Sequence, residues 1–169
     1  LNRMQQVAIV IPIYQGTLSE TERISLRQCQ RILGKYPIYI IAPENLDTQF
    51  ISDYFENYNV VRFSDKYFKS PKTYNHLMVS EGFYQSFISF EYILIYQLDA
   101  YVFEDKLKDW CEKGYDYIGA PKLKKEHLND KVSLLSEPIL MNGGLSLRNV
   151  KSILRYIRYY GFFFKDWKA

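Results

Sequence analysis

Val7-Ala-Ile-Val-Ile-Pro-Ile-Tyr14 is an unbroken run of apolar, largely β-branched residues. A strand with one wet face alternates apolar and polar positions; this run does not alternate, so it reads as a strand covered on both faces, as in a parallel sheet wrapped by helices. Outward from it the same pattern continues. Ser19-Glu-Thr-Glu22 spells a capping box, and Leu26, Cys29, Ile32 and Leu33 recur at helical spacing before Gly34 stops the helix. Tyr39-Ile-Ile-Ala42 is a second buried strand, and Asn59-Val-Val-Arg-Phe63 is a third. Between them Phe50, Ile51, Tyr54 and Phe55 form a helical stripe after Asp47.

The second half alternates in the same way. Thr73 to Ser89 reads as a longer helix interrupted at Gly82, with Leu77, Phe83, Phe87 and Ile88 on its buried side. It leads into Tyr92-Ile-Leu-Ile-Tyr-Gln-Leu98, the most strand-like run in the chain. Glu104 and Asp105 stand where acids favour a helix start, and Leu107, Trp110 and Cys111 carry that helix to Gly114. Tyr115 to Ala120 is another strand, Pro121 to Glu137 a polar, lysine-bearing loop, and Gly143 to Leu147 a short strand. Asn149 caps a last helix that turns Val150, Ile153, Leu154 and Ile157 to one side. Alternating strands and helices without an internal repeat predict a single α/β domain: a mostly parallel sheet between helical layers. Ligands of such sheets bind beyond the carboxyl ends of the strands. The residues to inspect are therefore Pro12 to Gln15, Pro43 and Glu44, Gln97 to Tyr101, and Ala120 to Lys122.

Bulk composition narrows the function. A chain of 169 residues with 47% apolar residues buries a core unaided, so neither metal nor disulfide staple is required. A net charge of +3 without a regular Lys/Arg stripe argues against duplex binding. Cys29 and Cys111 fall on apolar helix faces with no CxxC or Cys/His cluster, which reads as two buried small hydrophobes in a reducing compartment. The apolar runs are strand-length, short of the roughly 20 residues of a membrane span, and the start of the sequence carries no apolar signal segment. Aromatic content is high at 17%, but the 16 tyrosines are spread along the chain, so general core use explains most of them.

Asp99 is the most informative residue. It closes the run that starts at Tyr92 and is followed by Ala100-Tyr-Val-Phe103, so a carboxylate sits within apolar sequence, where unpaired burial is costly. Aspartates commonly cap helices, yet the next helix begins near Glu104, too late for Asp99 to cap it. A metal ion or a ribose hydroxyl at the strand mouth would satisfy the charge. Gln97, two residues earlier on the same strand face, either adds an amide oxygen to such a site or bonds to backbone in the core.

Taken together, the Val7 to Tyr14 run, Ala42-Pro-Glu-Asn-Leu-Asp47, Tyr74-Asn75, Ile95-Tyr-Gln-Leu-Asp-Ala-Tyr-Val-Phe103, Tyr117-Ile-Gly-Ala-Pro121 and Asn142-Gly-Gly-Leu-Ser-Leu-Arg148 resemble, in order, a family of glycosyltransferase-like bacterial and fungal proteins with a GT-A fold. The resemblance implies a Rossmann-like, three-layer α/β/α nucleotide-sugar domain over residues 1–169, lacking part of the acceptor half. It places Pro12 and Tyr14 beside the nucleobase, Glu44 near ribose or base, and Tyr74 with Asn75 on the helix bordering the donor. Gln97-Leu98-Asp99 takes the place of an Asp-x-Asp metal site, with Tyr101 beyond it, and Asn142-Gly143-Gly144 forms the turn at the donor sugar.

With Gln at position 97, Asp99 is the lone acid. Asp99 and Gln97 are thus the candidate ligands for Mn2+ or Mg2+, completed by water and diphosphate. The implied activity is transfer of a sugar from a UDP-linked or other nucleoside diphosphate donor to a glycan, lipid-linked or other hydroxyl acceptor, in the cytoplasm or at the membrane periphery. The alternative is a module of the same fold that binds nucleotide or glycan without turnover. A nucleotidyltransferase would want a basic Gly-rich loop after the first strand, and Gln15-Gly16-Thr17-Leu18 has no basic residue. Glu137 and Asp166 are candidate bases that also read as plain surface acids. Lys122, Lys124 and Lys125 are candidate phosphate contacts that also read as loop solvation. His76 and His127 suggest no catalytic pair.

Overall fold

The computed structural model describes residues 5–121 and 141–163, with only the backbone described at Gln5, Pro121, Met141, Asn142 and 161–163. Among the described residues six strands form one sheet: β1 (Gln5–Pro12), β2 (Ile38–Pro43), β3 (Asn59–Phe63), β4 (Phe90–Tyr96), β5 (Tyr117–Pro121) and β6 (Met141–Asn149), in the order β3-β2-β1-β4-β6-β5. The first four pair in parallel, whereas β6 runs antiparallel to both β4 and β5. The helices are α1 (Glu20–Leu33), α2 (Pro71–Met78), α3 (Glu81–Gln85), α4 (Leu107–Glu112) and α5 (Val150–Phe163).

The unbroken apolar run of β1 has the cause expected of it. Its residues alternate between two cores: Val7, Ile9 and Ile11 meet α1 and α4 through Leu26, Cys29, Leu33, Leu107 and Cys111. Ala8 and Val10 belong to the opposite core, with Leu77, Phe83, Val150, Leu154 and Ile157 from α2, α3 and α5, and Phe87 from the segment after α3. The domain is therefore a three-layer α/β/α sandwich with a mostly parallel sheet. Tyr39 packs edge-on against Phe87 and Phe90 at 5.5 and 5.4 Å, a geometry that aromatic quadrupoles favour. Burial pushes both cysteine thiols up to about 12, as fits small hydrophobes packed in the core.

Several local expectations need correction. The helical stripe after Asp47 is a single 3-10 turn, Gln49–Asp53, that buries Ile51. The helix expected from Thr73 to Ser89 is two short helices. The break falls at Val79 rather than Gly82, because Ser80 starts α3 by accepting a bond from the Phe83 amide. Ile88, expected on the buried side, is exposed because α3 ends at Gln85, before reaching it. The helix expected from Glu104 begins at Leu107, since the Asp105 carboxylate faces back to accept from the Leu107 amide, Tyr36 and Lys35. Finally, the short strand at Gly143 to Leu147 is a nine-residue strand.

Candidate functional site

Strand order places the site. The chain winds from β1 outward to β2 and β3, then returns to lay β4 on the other side of β1. α1, which follows β1, lies over one face of the sheet, and α2, which precedes β4, lies over the other. Connections that diverge in this way leave a crevice at the carboxyl ends of β1 and β4, the topological switch point. A cleft of about 970 Å³ lies there, lined by the end of β1 and its loop (Pro12 to Gln15), the start of α1, Phe68 to Pro71 with Tyr74, and Gln97 to Tyr101. That volume is at the upper end of the size of small-molecule sites.

Asp99 is on a turn, not inside the strand. β4 ends at Tyr96, and the Ala100 amide bonds back to the Gln97 carbonyl at 3.0 Å, closing a turn with Leu98 and Asp99 at its tip. The burial suggested by its apolar neighbours in sequence does not occur: Asp99 is exposed, and among the described residues no hydrogen bond or ion pair holds its carboxylate. Leu98 is buried and anchors the turn.

The turn is fixed from beneath. Ser25, on the buried face of α1, donates to the Ala100 carbonyl at 2.6 Å, and Tyr96 donates to the same oxygen at 3.2 Å. Gln28, one helical turn on, donates to the Val102 carbonyl at 2.6 Å. Burial raises the Tyr96 pKa, with its hydrogen-bond contact to Ser25 opposing the shift, so this hydroxyl keeps its proton. Sequence reasoning did not single out Ser25 or Gln28. Their signal was two polar residues within the apolar stripe of a helix, which in a packed core require partners.

Strand β6 supplies the opposite support. Running antiparallel, it brings its amino-terminal end to the ligand edge, where the Gly144 carbonyl accepts from the Gln97 amide at 2.8 Å. Gly143 lies against Arg148: a Cβ there would come within 3.3 Å of Nη2 and 3.8 Å of the Tyr117 hydroxyl. Arg148 is itself buried. Its Nε donates to Ser146 Oγ at 3.0 Å, Nη1 to the Met78 carbonyl and Tyr84 hydroxyl at 3.3 and 2.8 Å, and Nη2 to the Gly143 carbonyl at 3.4 Å.

Of the residues singled out from sequence, Pro12, Tyr14, Tyr74, Gln97, Asp99 and Tyr101 line the cleft together. Gly143 and Gly144 stand behind it beside Gln97, and only the backbone of Asn142 is described. Asn75 is exposed one residue beyond Tyr74 and does not line the cleft. Glu44 is also exposed outside it, in a loop pinned by Asp65, which accepts from the Glu44 amide, and by Arg62, which donates to the carbonyls of Pro43, Glu44 and Leu46. His76 is exposed on α2. Glu137, Asp166, Lys122, Lys124, Lys125 and His127 lie outside the described residues.

Two further charged residues line the cleft. Glu22 is committed to the capping box, where its carboxylate accepts from the Ser19 amide and hydroxyl at 2.7 and 2.8 Å. Lys69 also lines the cleft, next to the start of α2. Among the described residues no three His, Cys, Asp or Glu side chains gather to hold a metal. One free carboxylate and one amide fit a hard cation that takes most of its oxygens from water and phosphate, and do not fit a protein-only cage.

Comparison with known proteins agrees with the architecture. No curated protein matches the chain. The apo-form glycosyltransferase GlyE of Streptococcus pneumoniae TIGR4 is similar in structure with a TM-score of 0.53 at 14% identity, covering 96% of this chain and 40% of GlyE. S. aureus TarS gives a TM-score of 0.48 at 12% identity, covering 86% of this chain and 28% of TarS. The chain thus spans 40% of the length of GlyE and 28% of that of TarS. At 14% identity the likeness to GlyE is one of fold, a GT-A-like α/β fold. Residues 57–168 match the sequence profile described as "Protein of unknown function (DUF5672)", and the chain belongs to that family.

Proposed function

We propose that the chain is a glycosyltransferase domain that takes a sugar from a nucleoside diphosphate donor, UDP-linked in the first instance, and passes it to a hydroxyl of a glycan or other acceptor. The observation that carries this reading is the exposed, unpaired Asp99 carboxylate at the rim of a ligand-sized cleft at the switch point. The GT-A-like fold supports it by analogy.

In this reading the bond from the anomeric carbon to the diphosphate breaks through a transition state of oxocarbenium character, and negative charge gathers on the departing phosphate. A divalent cation, Mn2+ or Mg2+, would supply positive charge to that leaving group. Asp99 would hold it, with the Gln97 amide oxygen as a second ligand. Pro12, Tyr14 and Tyr101 would flank the nucleotide, and Gly143 and Gly144 let the backbone come close to the sugar. Lys122, Lys124 and Lys125 are proposed as further phosphate contacts, and Glu137 and Asp166 as bases for the acceptor. Among the described residues no helix is long and apolar enough to cross a membrane. We place the domain in the cytoplasm, reaching lipid-linked acceptors from the membrane surface.

Asp99→Ala tests the enzyme reading. Because the side chain is exposed and unpaired, the variant should fold normally, while donor hydrolysis and transfer fall to background; undiminished turnover in that variant overturns the reading. The lone acid of the site also favours a second reading, a module that binds nucleotide or glycan without turnover. Calorimetry with UDP and Mn2+, followed by an assay for released sugar, separates them, since binding without release favours the module.

A further inference from the structure

The Tyr74 side chain lines the cleft, and its hydroxyl is buried with no hydrogen-bond partner among the described residues. Gln97 lies beside it without a bond of good geometry. A buried hydroxyl left unmatched is costly, and folded proteins keep few of them. Here the ring packs against the core formed by α2, α3 and α5, so the hydroxyl is held in place by its own side chain.

Behind it sits a second unusual group. Arg148 is buried, and its acceptors are a serine hydroxyl, a tyrosine hydroxyl and two backbone carbonyls, all neutral. Among the described residues no carboxylate pairs with it. The Tyr117 ring, 5.5 Å from Cζ, and the carbonyl end of α2 at Met78 offset part of its charge. A buried guanidinium without an acid leaves net positive potential in its surroundings. Burial raises the pKa of the Tyr74 hydroxyl against the opposing charge of Arg148, so the hydroxyl keeps its proton to donate. Tyr74 and Met78 lie four residues apart on α2, so they share one face, and the helix that carries the buried hydroxyl at the cleft wall gives its last carbonyl to the arginine.

We propose that Tyr74 is the anion-recognising hydroxyl of the cleft, donating its proton in a hydrogen bond to a phosphate oxygen of the ligand, with Arg148 as the positioning residue whose charge lies behind it. This rests on the donor-site reading and adds to it a source of positive charge built into the protein, independent of any cation on Asp99. It also gives Gly143 a reason: a side chain there would crowd the guanidinium.

The test is calorimetry with inorganic pyrophosphate, UDP and uridine, in EDTA and in Mn2+, on the wild type, Tyr74→Phe and Arg148→Lys. Tyr74→Phe keeps the ring and removes only an unmatched hydroxyl, so the ligand-free variant should melt no lower than the wild type, and about 2 °C higher if the orphan is fully relieved. It should bind pyrophosphate and UDP about tenfold more weakly and uridine equally well. Arg148→Lys keeps charge but loses the fork, and should show the same selective loss to a smaller degree. Equal weakening of uridine and UDP in Tyr74→Phe, or undiminished pyrophosphate and UDP affinity, overturns the proposal while leaving the donor site standing. A wild type that binds none of the three overturns both. A lower melting point for the ligand-free Tyr74→Phe protein also overturns it, because the hydroxyl would then have a structural partner.

Discussion

The Ser25 hydroxyl and the Ala100 carbonyl oxygen lie 2.6 Å apart, and this contact ties helix α1 to the turn that presents Asp99. Removing it separates stability from function. Ser25→Ala should cost about 1 kcal/mol, since the Ala100 carbonyl keeps its bond from Tyr96. Nucleotide affinity should fall as well, because the loosened turn must be ordered again on binding. Thermal unfolding and calorimetry measure the two effects, and an unchanged affinity alongside lowered stability would show that α1 does not position the turn.

Asp105 joins the segment after that turn to the loop closing α1. Burial alone would raise its pKa, but the Lys35 ammonium, the Leu107 amide and the Tyr36 hydroxyl outweigh it and hold the carboxyl below its ordinary value. The stabilisation is therefore complete above the unfolded-state value of about 3.9 and is lost as pH falls through the lower folded-state value. Asp105→Asn should cost about 1 kcal/mol near neutral pH. The two denaturation curves should converge in acid; a gap that stays constant down to the acid limit would show that ionisation of Asp105 contributes nothing.

Two glycines should respond with opposite signs. Gly114 ends α4 with φ of 71°, and although nothing stands within 4 Å of a Cβ there, the left-handed backbone makes Gly114→Ala destabilising by about 1 kcal/mol. Gly82 lies in the first turn of α3 with equally open space and helical backbone, so Gly82→Ala should stabilise by up to about 1 kcal/mol. Chemical denaturation of both variants checks the pair.

The parallel half of the fold was legible because its signals are local and agree with one another. The apolar run at Val7, the capping box from Ser19 to Glu22 and the strand Asn59–Phe63 each carry their own pattern. The expectations that missed involve a side chain spoken for elsewhere. Asp105 is taken by Tyr36 and Lys35, which delays α4; Ser80 caps α3, which moves the break away from Gly82. Asp99 was legible because its apolar neighbours make unpaired burial costly; it lies exposed on the turn just after β4. Ser25, Gln28 and Arg148 could not be identified as supports of the site, because their partners at Ala100, Val102 and Met78 are distant in sequence and only the assembled sheet brings them together.

The reversed direction of β6 sets a temporal limit on the cleft. Had this strand run with its neighbours, the ligand edge would have met its far end; instead it meets Gly143 and Gly144, and the amide of Gln97 finds its acceptor only there. Synthesis proceeds from the amino terminus, so a nascent chain holding everything through β5 still has an unfinished binding edge. Competence to hold a ligand arrives only once β6, the last of these six strands in chain order, has left the ribosome, so occupancy would report that these six strands have been zipped up.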